Sequence, residues 1–288
     1  MAARTRRGGP TAVYLELGGK RVFACTLDWP GWCRSGKTEE LALEALAAYA
    51  DRYAEVAKEA GIAFPPGTGE RLKVVERLLG SGKTDFGLPG EFAAADAKRA
   101  TGAQAERLAA LVAAAWAVFD RVRAAAPAEL RKGPRGGGRD RDKMVDHVLG
   151  AEAAYARQLG VKLPQPAIDD QAAIAALRER ILAVLRAPSD GSPPVANGWP
   201  PRYAARRVAW HVLDHAWEMQ DRTEPGAELP AGLPAPARRA LEGAGYTTLD
   251  ALVAVRESDL LLLHGMGPKA VGLLREAMAE HRLAFAGD

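Results

Sequence analysis

From Ala103 to about Arg222 the apolar residues recur every three or four positions in an Ala/Leu/Arg-rich background, and this helical period constrains the fold more than any other feature. Counted by period, four helices span roughly 103–126, 140–159, 168–187 and 201–222. Four amphipathic helices of this length bury their apolar stripes most simply as an up-down-up-down bundle. Helices one and two are joined by the Arg- and Gly-rich segment 130–141, helices three and four by the Pro-rich segment 188–200. In that topology helices two and four run parallel, so both connectors lie at the same end of the bundle.

Two of the five histidines, His211 and His215, stand four apart on the fourth helix. Side chains at i and i+4 project from one face, so two imidazoles can grip a single ion without distorting the backbone. The third ligand expected is His147, which borders the apolar face marked by Met144, Val148 and Ala151 on the second helix. His147 falls about two turns into its helix and the pair three to four turns into theirs, so all three can meet near the connector end. Three histidines with a fourth position left for water or substrate describe a reactive divalent site, whereas a closed structural site would need a fourth protein ligand. The competing reading is three unrelated histidines, each satisfied by a neighbouring carboxylate or carbonyl.

Asp214 and Glu218 each follow one of the paired histidines by three residues. Glu218 is placed to act as a further ligand or general base, and either carboxylate could fix an imidazole tautomer. Arg135, Arg139 and Arg141 lie in the first connector, where they would hold an anionic substrate or a cofactor's carboxylate; the alternative is a solvated loop.

Before the helices, Val13–Leu17, Gly18-Gly19 and Lys20–Leu27 read as a β-hairpin across a Gly-Gly turn. A helix capped by Thr38 is expected to run to about Glu59, and Leu72–Leu78 is expected as a third strand. This is a small ββαβ unit over 11–90, too small to bury much apolar surface alone. Trp29 and Trp32 form either a lip over a pocket or a cover for the sheet's own core. Cys25 and Cys33, the only cysteines, are expected to be reduced and structural, Cys33 in a loop.

After a Pro-rich linker, 233–284 reads as two short helices meeting at Gly265-Met266-Gly267-Pro268. This segment resembles a helix-hairpin-helix, and the resemblance implies that in a DNA-binding member the turn and helix start at Gly265 and Gly267 would offer backbone amides, and Lys269 a charge, to a phosphate. Residues 233–288 nevertheless hold six Lys/Arg against seven Asp/Glu, a poor electrostatic match for duplex DNA, so a protein partner or domain packing is favoured there. The whole chain, at 288 residues and net charge +3, makes no general case for nucleic acid either. No apolar run approaches the ~20 residues a bilayer needs, and the basic start at Arg4, Arg6 and Arg7 leads into no apolar core. The expectation is a cytoplasmic protein without a membrane partner.

The placement of His147, His211 and His215 resembles the DinB-like superfamily of four-helix metal proteins, over about 103–224. That resemblance implies a divalent metal, zinc or nickel, and an activity such as transfer or isomerisation with a low-molecular-weight thiol of the mycothiol or bacillithiol type. The segment Val22–Ala42 resembles the HicB antitoxin pattern, which implies fold alone. The segment 233–284 is similar to the helix-hairpin-helix module of the RNA polymerase α subunit's C-terminal domain. The expected architecture is therefore α+β, mostly α: a ββαβ unit, a four-helix bundle and a helix-hairpin-helix domain. Two functions remain open, a metal-dependent transferase, isomerase or hydrolase acting on a small molecule, and a regulatory protein whose metal is structural or sensing.

Overall fold

Residues 9–132, 138–223, 227–253 and 255–286 are described by a computed structural model. β1 (Thr11–Leu17) and β2 (Val22–Thr26) pair antiparallel across Gly18-Gly19, with Leu17 opposite Val22 and Val13 opposite Thr26. β2 is buried throughout and β1 nearly so. A third strand, β3 (Cys33–Gly36), pairs antiparallel with β2, so the hairpin extends to a meander. This corrects the loop expected there: Cys-Arg-Ser-Gly carries no apolar alternation, and the strand forms because it is templated by β2.

α1 (Glu39–Ala48) begins at Thr38, whose hydroxyl accepts from the Leu41 amide at 3.3 Å. The single helix expected over 38–59 is interrupted at Tyr49, which leaves helical geometry at φ −92°, ψ 6° before α2 (Ala50–Glu59). Tyr49 packs edge-on against Trp217, ring centroids 5.1 Å apart, and carries the Arg34 guanidinium 4.0 Å above its ring. β4 (Leu72–Leu79) then pairs parallel to β1, giving the sheet order β3-β2-β1-β4. Parallel neighbours need a long crossover, which the α1–α2 segment provides. A short α3 (Gly82–Phe86) follows.

The long helices are α4 (Gly102–Ala125), α5 (Arg141–Gln158), α6 (Gln171–Arg186) and α7 (Pro201–Thr223), close to the spans expected from periodicity. α2 packs on α4, and α4 on α6. α8 (Ala235–Gly243), α9 (Glu257–Leu261) and α10 (Pro268–Glu280) complete the described elements, so the fold is α+β with helix predominating.

The chain divides into two compact units. The first holds Met1–Ala125 with Asp142–Trp217, so the sheet, read above as a unit of its own, shares its body with α4, α6 and most of α5 and α7. Its polar interior includes Glu16, which accepts from the Thr84 hydroxyl and the Gly90 and Glu91 amides. The second unit, Ala126–Arg141 with Glu218–Asp288, has its own core, with Leu233, Leu241, Leu249, Leu252, Leu260 and Leu274 among its buried residues. Among the described residues no helix is long and apolar enough to cross a membrane.

Candidate metal centre

His147 from α5 and His211 and His215 from α7 converge. One ring nitrogen from each lies within 4.8 Å of the others, and the Nε2 atoms of His147 and His211 are 3.3 Å apart. The three ring centroids are 4.7 to 5.1 Å apart. His211 and His215 are buried and His147 is half-buried, so the cluster lies at the edge of the first unit's core rather than sealed inside it. These three histidines are close enough to hold one metal ion.

The helix period explains the convergence. On α7, Tyr203, Arg207, His211 and His215 form one i, i+4 stripe, and on α5 His147, Ala151 and Tyr155 form another. Aromatic rings line the cluster along these stripes. The Tyr155 ring lies 5.7 Å from His211 and 5.1 Å from Trp199; Trp199 in turn lies 5.0 Å from Tyr203. Burial raises the pKa of the Tyr155 hydroxyl, while the Arg207 charge and hydrogen bond act the other way.

The other residues expected at the site have different surroundings. Asp214 accepts from Arg34 of β3 at 3.0 Å, and Glu218 accepts from Arg222 at 2.9 Å. Both carboxylates therefore have an arginine partner. Arg141 donates to the Ala126 carbonyl at 3.0 Å, Arg139 is exposed, and Arg135 lies outside the described residues.

Trp32 is fully buried: its indole donates to the Leu46 carbonyl at 2.9 Å and its ring stacks on Tyr53 at 5.6 Å. Trp29 meets Tyr53, Phe64 and the Arg107 guanidinium. The two tryptophans share an aromatic cluster with Tyr53 and Phe64, Trp32 buried within it and Trp29 half-buried.

Cys25 and Cys33 face each other in register across β2 and β3, with Cα atoms 4.1 Å apart, and are joined as a disulfide. The sequence reading, reduced thiols that could pair under oxidation, rested on compartment rather than on strand register. Beside them a cavity of about 20 Å³, lined by Tyr14, Cys25, Trp32, Arg206, Arg207 and Trp210 among others, has room for a water molecule.

Arg207 and Tyr155 were not singled out from the sequence, although Arg207 stands four residues before His211 and Tyr155 eight after His147. No protein-family model, curated protein or solved structure matches the chain.

Proposed function

We propose that His147, His211 and His215 bind one divalent ion and that the chain is a metal-dependent enzyme acting on a small molecule, similar in layout to DinB-like four-helix proteins. The 3.3 Å separation of the His147 and His211 Nε2 atoms carries the reading, since two nitrogens bound tetrahedrally at ~2.1 Å to one ion stand about 3.4 Å apart. Three imidazoles suit zinc or nickel and leave a coordination position for substrate. A bound divalent ion would supply Lewis acidity, lowering the pKa of a water or of a low-molecular-weight thiol.

The remaining roles belong to the chain. The buried flank of α7 fixes His211 and His215 in one orientation. Tyr155, Trp199 and Tyr203 supply an apolar wall that limits water. Asp214, tied to Arg34, anchors α7 to β3, and Glu218 is assigned no proton transfer while it is paired with Arg222.

Protein purified without added ions should contain close to one equivalent of zinc or nickel by plasma mass spectrometry. His211→Ala should lose it while retaining the wild-type circular dichroism. Unchanged metal content in His211→Ala, or a metal-free wild type that takes up no added zinc or nickel, refutes the site.

A second reading, a binding protein, is favoured by the C-terminal unit. We infer that α9 and α10 form a helix-hairpin-helix around Gly265, whose φ of 96° suits glycine, and Gly267, which caps α10 ahead of Pro268. In this reading Lys269 and the turn face a partner, with a protein favoured over DNA.

A further inference from the structure

Two consecutive arginines of α7 have opposite surroundings. Arg206 is buried and neutralised: Asp96 accepts from its Nε and Nη2, and the Tyr14 hydroxyl accepts from its Nη1 at 2.6 Å. Arg207 is half-buried, and among the described residues no carboxylate pairs with it. Its Nη1 donates to the Pro89 carbonyl at 2.9 Å, and its guanidinium lies 4.7 Å from the Trp210 ring centroid and 5.4 Å from that of Tyr155. Both rings also touch His211, at 6.0 and 5.7 Å. The guanidinium is thus held by the Pro89 carbonyl, the Tyr155 side chain and the Trp210 ring, one helical turn from a histidine of the cluster.

This placement has an energetic meaning. A guanidinium partly removed from water and left without an acid loses hydration without gaining a counter-charge, and that loss is recovered when an anion arrives. The planar fork of Arg207 is pre-organised by the two rings, so little side-chain entropy is lost on pairing with a carboxylate. Of the acids around it, Asp214 is already paired with Arg34, and Glu16 accepts from the Thr84 hydroxyl and the Gly90 and Glu91 amides.

We propose that Arg207 is the anion-binding residue of the histidine centre and that the substrate is a small organic acid. Its carboxylate pairs with Arg207 beside Tyr155 while its reacting group lies at His147, His211 and His215. This deepens the metal-enzyme reading and rests on it. It also moves the anion subsite from the connector arginines expected from sequence, Arg135, Arg139 and Arg141, to a residue on the histidine helix itself.

The test uses the full-length protein loaded with cobalt(II), whose visible spectrum reports ligands entering its coordination shell. Two hydroxamates serve as probes because they chelate divalent ions without reducing the Cys25–Cys33 disulfide. Acetohydroxamate lacks a carboxylate, and the monohydroxamate of succinic acid carries one. Wild type should bind the acidic probe at least about tenfold more tightly than the neutral one, and Arg207→Lys should keep part of that preference. Arg207→Gln should lose it, with cobalt content and acetohydroxamate affinity unchanged. A wild type that does not discriminate, or an Arg207→Gln protein that still does, overturns the subsite and leaves the metal centre standing. A protein that binds no cobalt overturns the metal centre and the subsite with it. Loss of cobalt in both Arg207 variants would make the residue structural and would also overturn the assignment.

Discussion

Arg206 shows what a buried charge requires in this fold. Burial alone would lower its pKa, but Tyr14 and Asp96 more than offset that, so the guanidinium stays charged. Breaking such a pair leaves one charge uncompensated in the interior, which costs about 3–5 kcal/mol. Asp96→Asn should therefore lower stability by about that amount in urea denaturation, a far larger effect than the same change at the partly exposed Asp214, for which about 0.5 kcal/mol is expected. Equal effects at the two positions would show that the Arg206 network is hydrated rather than buried. Phenols behave in the same way. Burial raises the pKa of Tyr14, Tyr53, Tyr155 and Tyr203, so in the folded state each keeps its proton at pH values where the unfolded chain, with phenols near ~10, has begun to ionise. Their contribution is fully present below about pH 10 and is lost as pH rises beyond it. Urea midpoints should fall between pH 9 and 11, with a shallower fall in Tyr53→Phe; an identical slope in that variant would remove Tyr53 from the account.

At the scale of elements, α7 organises the first unit, because its stripes face the histidine cluster on one side and the sheet on another. The loop between β2 and β3 comes so close to it that a side chain does not fit. A Cβ on Gly31 would fall 2.7 Å from the Leu213 Cδ1 and 3.0 Å from the Ala209 backbone carbon, at a φ of 91° that already disfavours other residues. Gly31→Ala should cost about 1–3 kcal/mol, measurable by thermal denaturation. A neutral result would mean that the loop moves away from α7 without loss. The long helices were legible from sequence because their apolar period persists for four turns or more, and so were β1, β2 and β4, which carry apolar runs or alternation. β3 and the break at Tyr49 were not legible. The first is held by pairing with β2, and the second by a contact of Tyr49 with Trp217, distant in sequence. The histidine cluster could be read because its spacing is local on α7, whereas the packing of Trp29 and Trp32 depended on Tyr53 and Phe64, which local pattern does not connect to them.

At the scale of the whole molecule, two units with separate cores imply separable failures. Leu274 is fully buried in the second unit, so Leu274→Ala should destabilise that unit by about 2–5 kcal/mol, seen as lost amide protection in α8 to α10. Any metal held by His147, His211 and His215 of the first unit, as proposed, should be unchanged; its loss in this variant would show that the units depend on each other for folding. The same separation governs any nucleic-acid interaction, because the second unit must supply its own electrostatic attraction. Its segment 233–288 has one more acid than base, and Arg275 is already paired with Glu257. Lys269 is exposed in the first turn of α10, a single cation beside a helix N-terminus. Duplex affinity grows with the number of phosphates neutralised, each contributing about 0.9 to the slope of log K against log salt. One such contact predicts a slope near −1 and negligible binding to random duplex DNA at physiological salt. Fluorescence anisotropy across a salt series measures this directly. Micromolar binding with a slope of several units would mean that basic residues from elsewhere in the chain reach the DNA, and would place a nucleic acid ahead of a protein as the partner of the second unit.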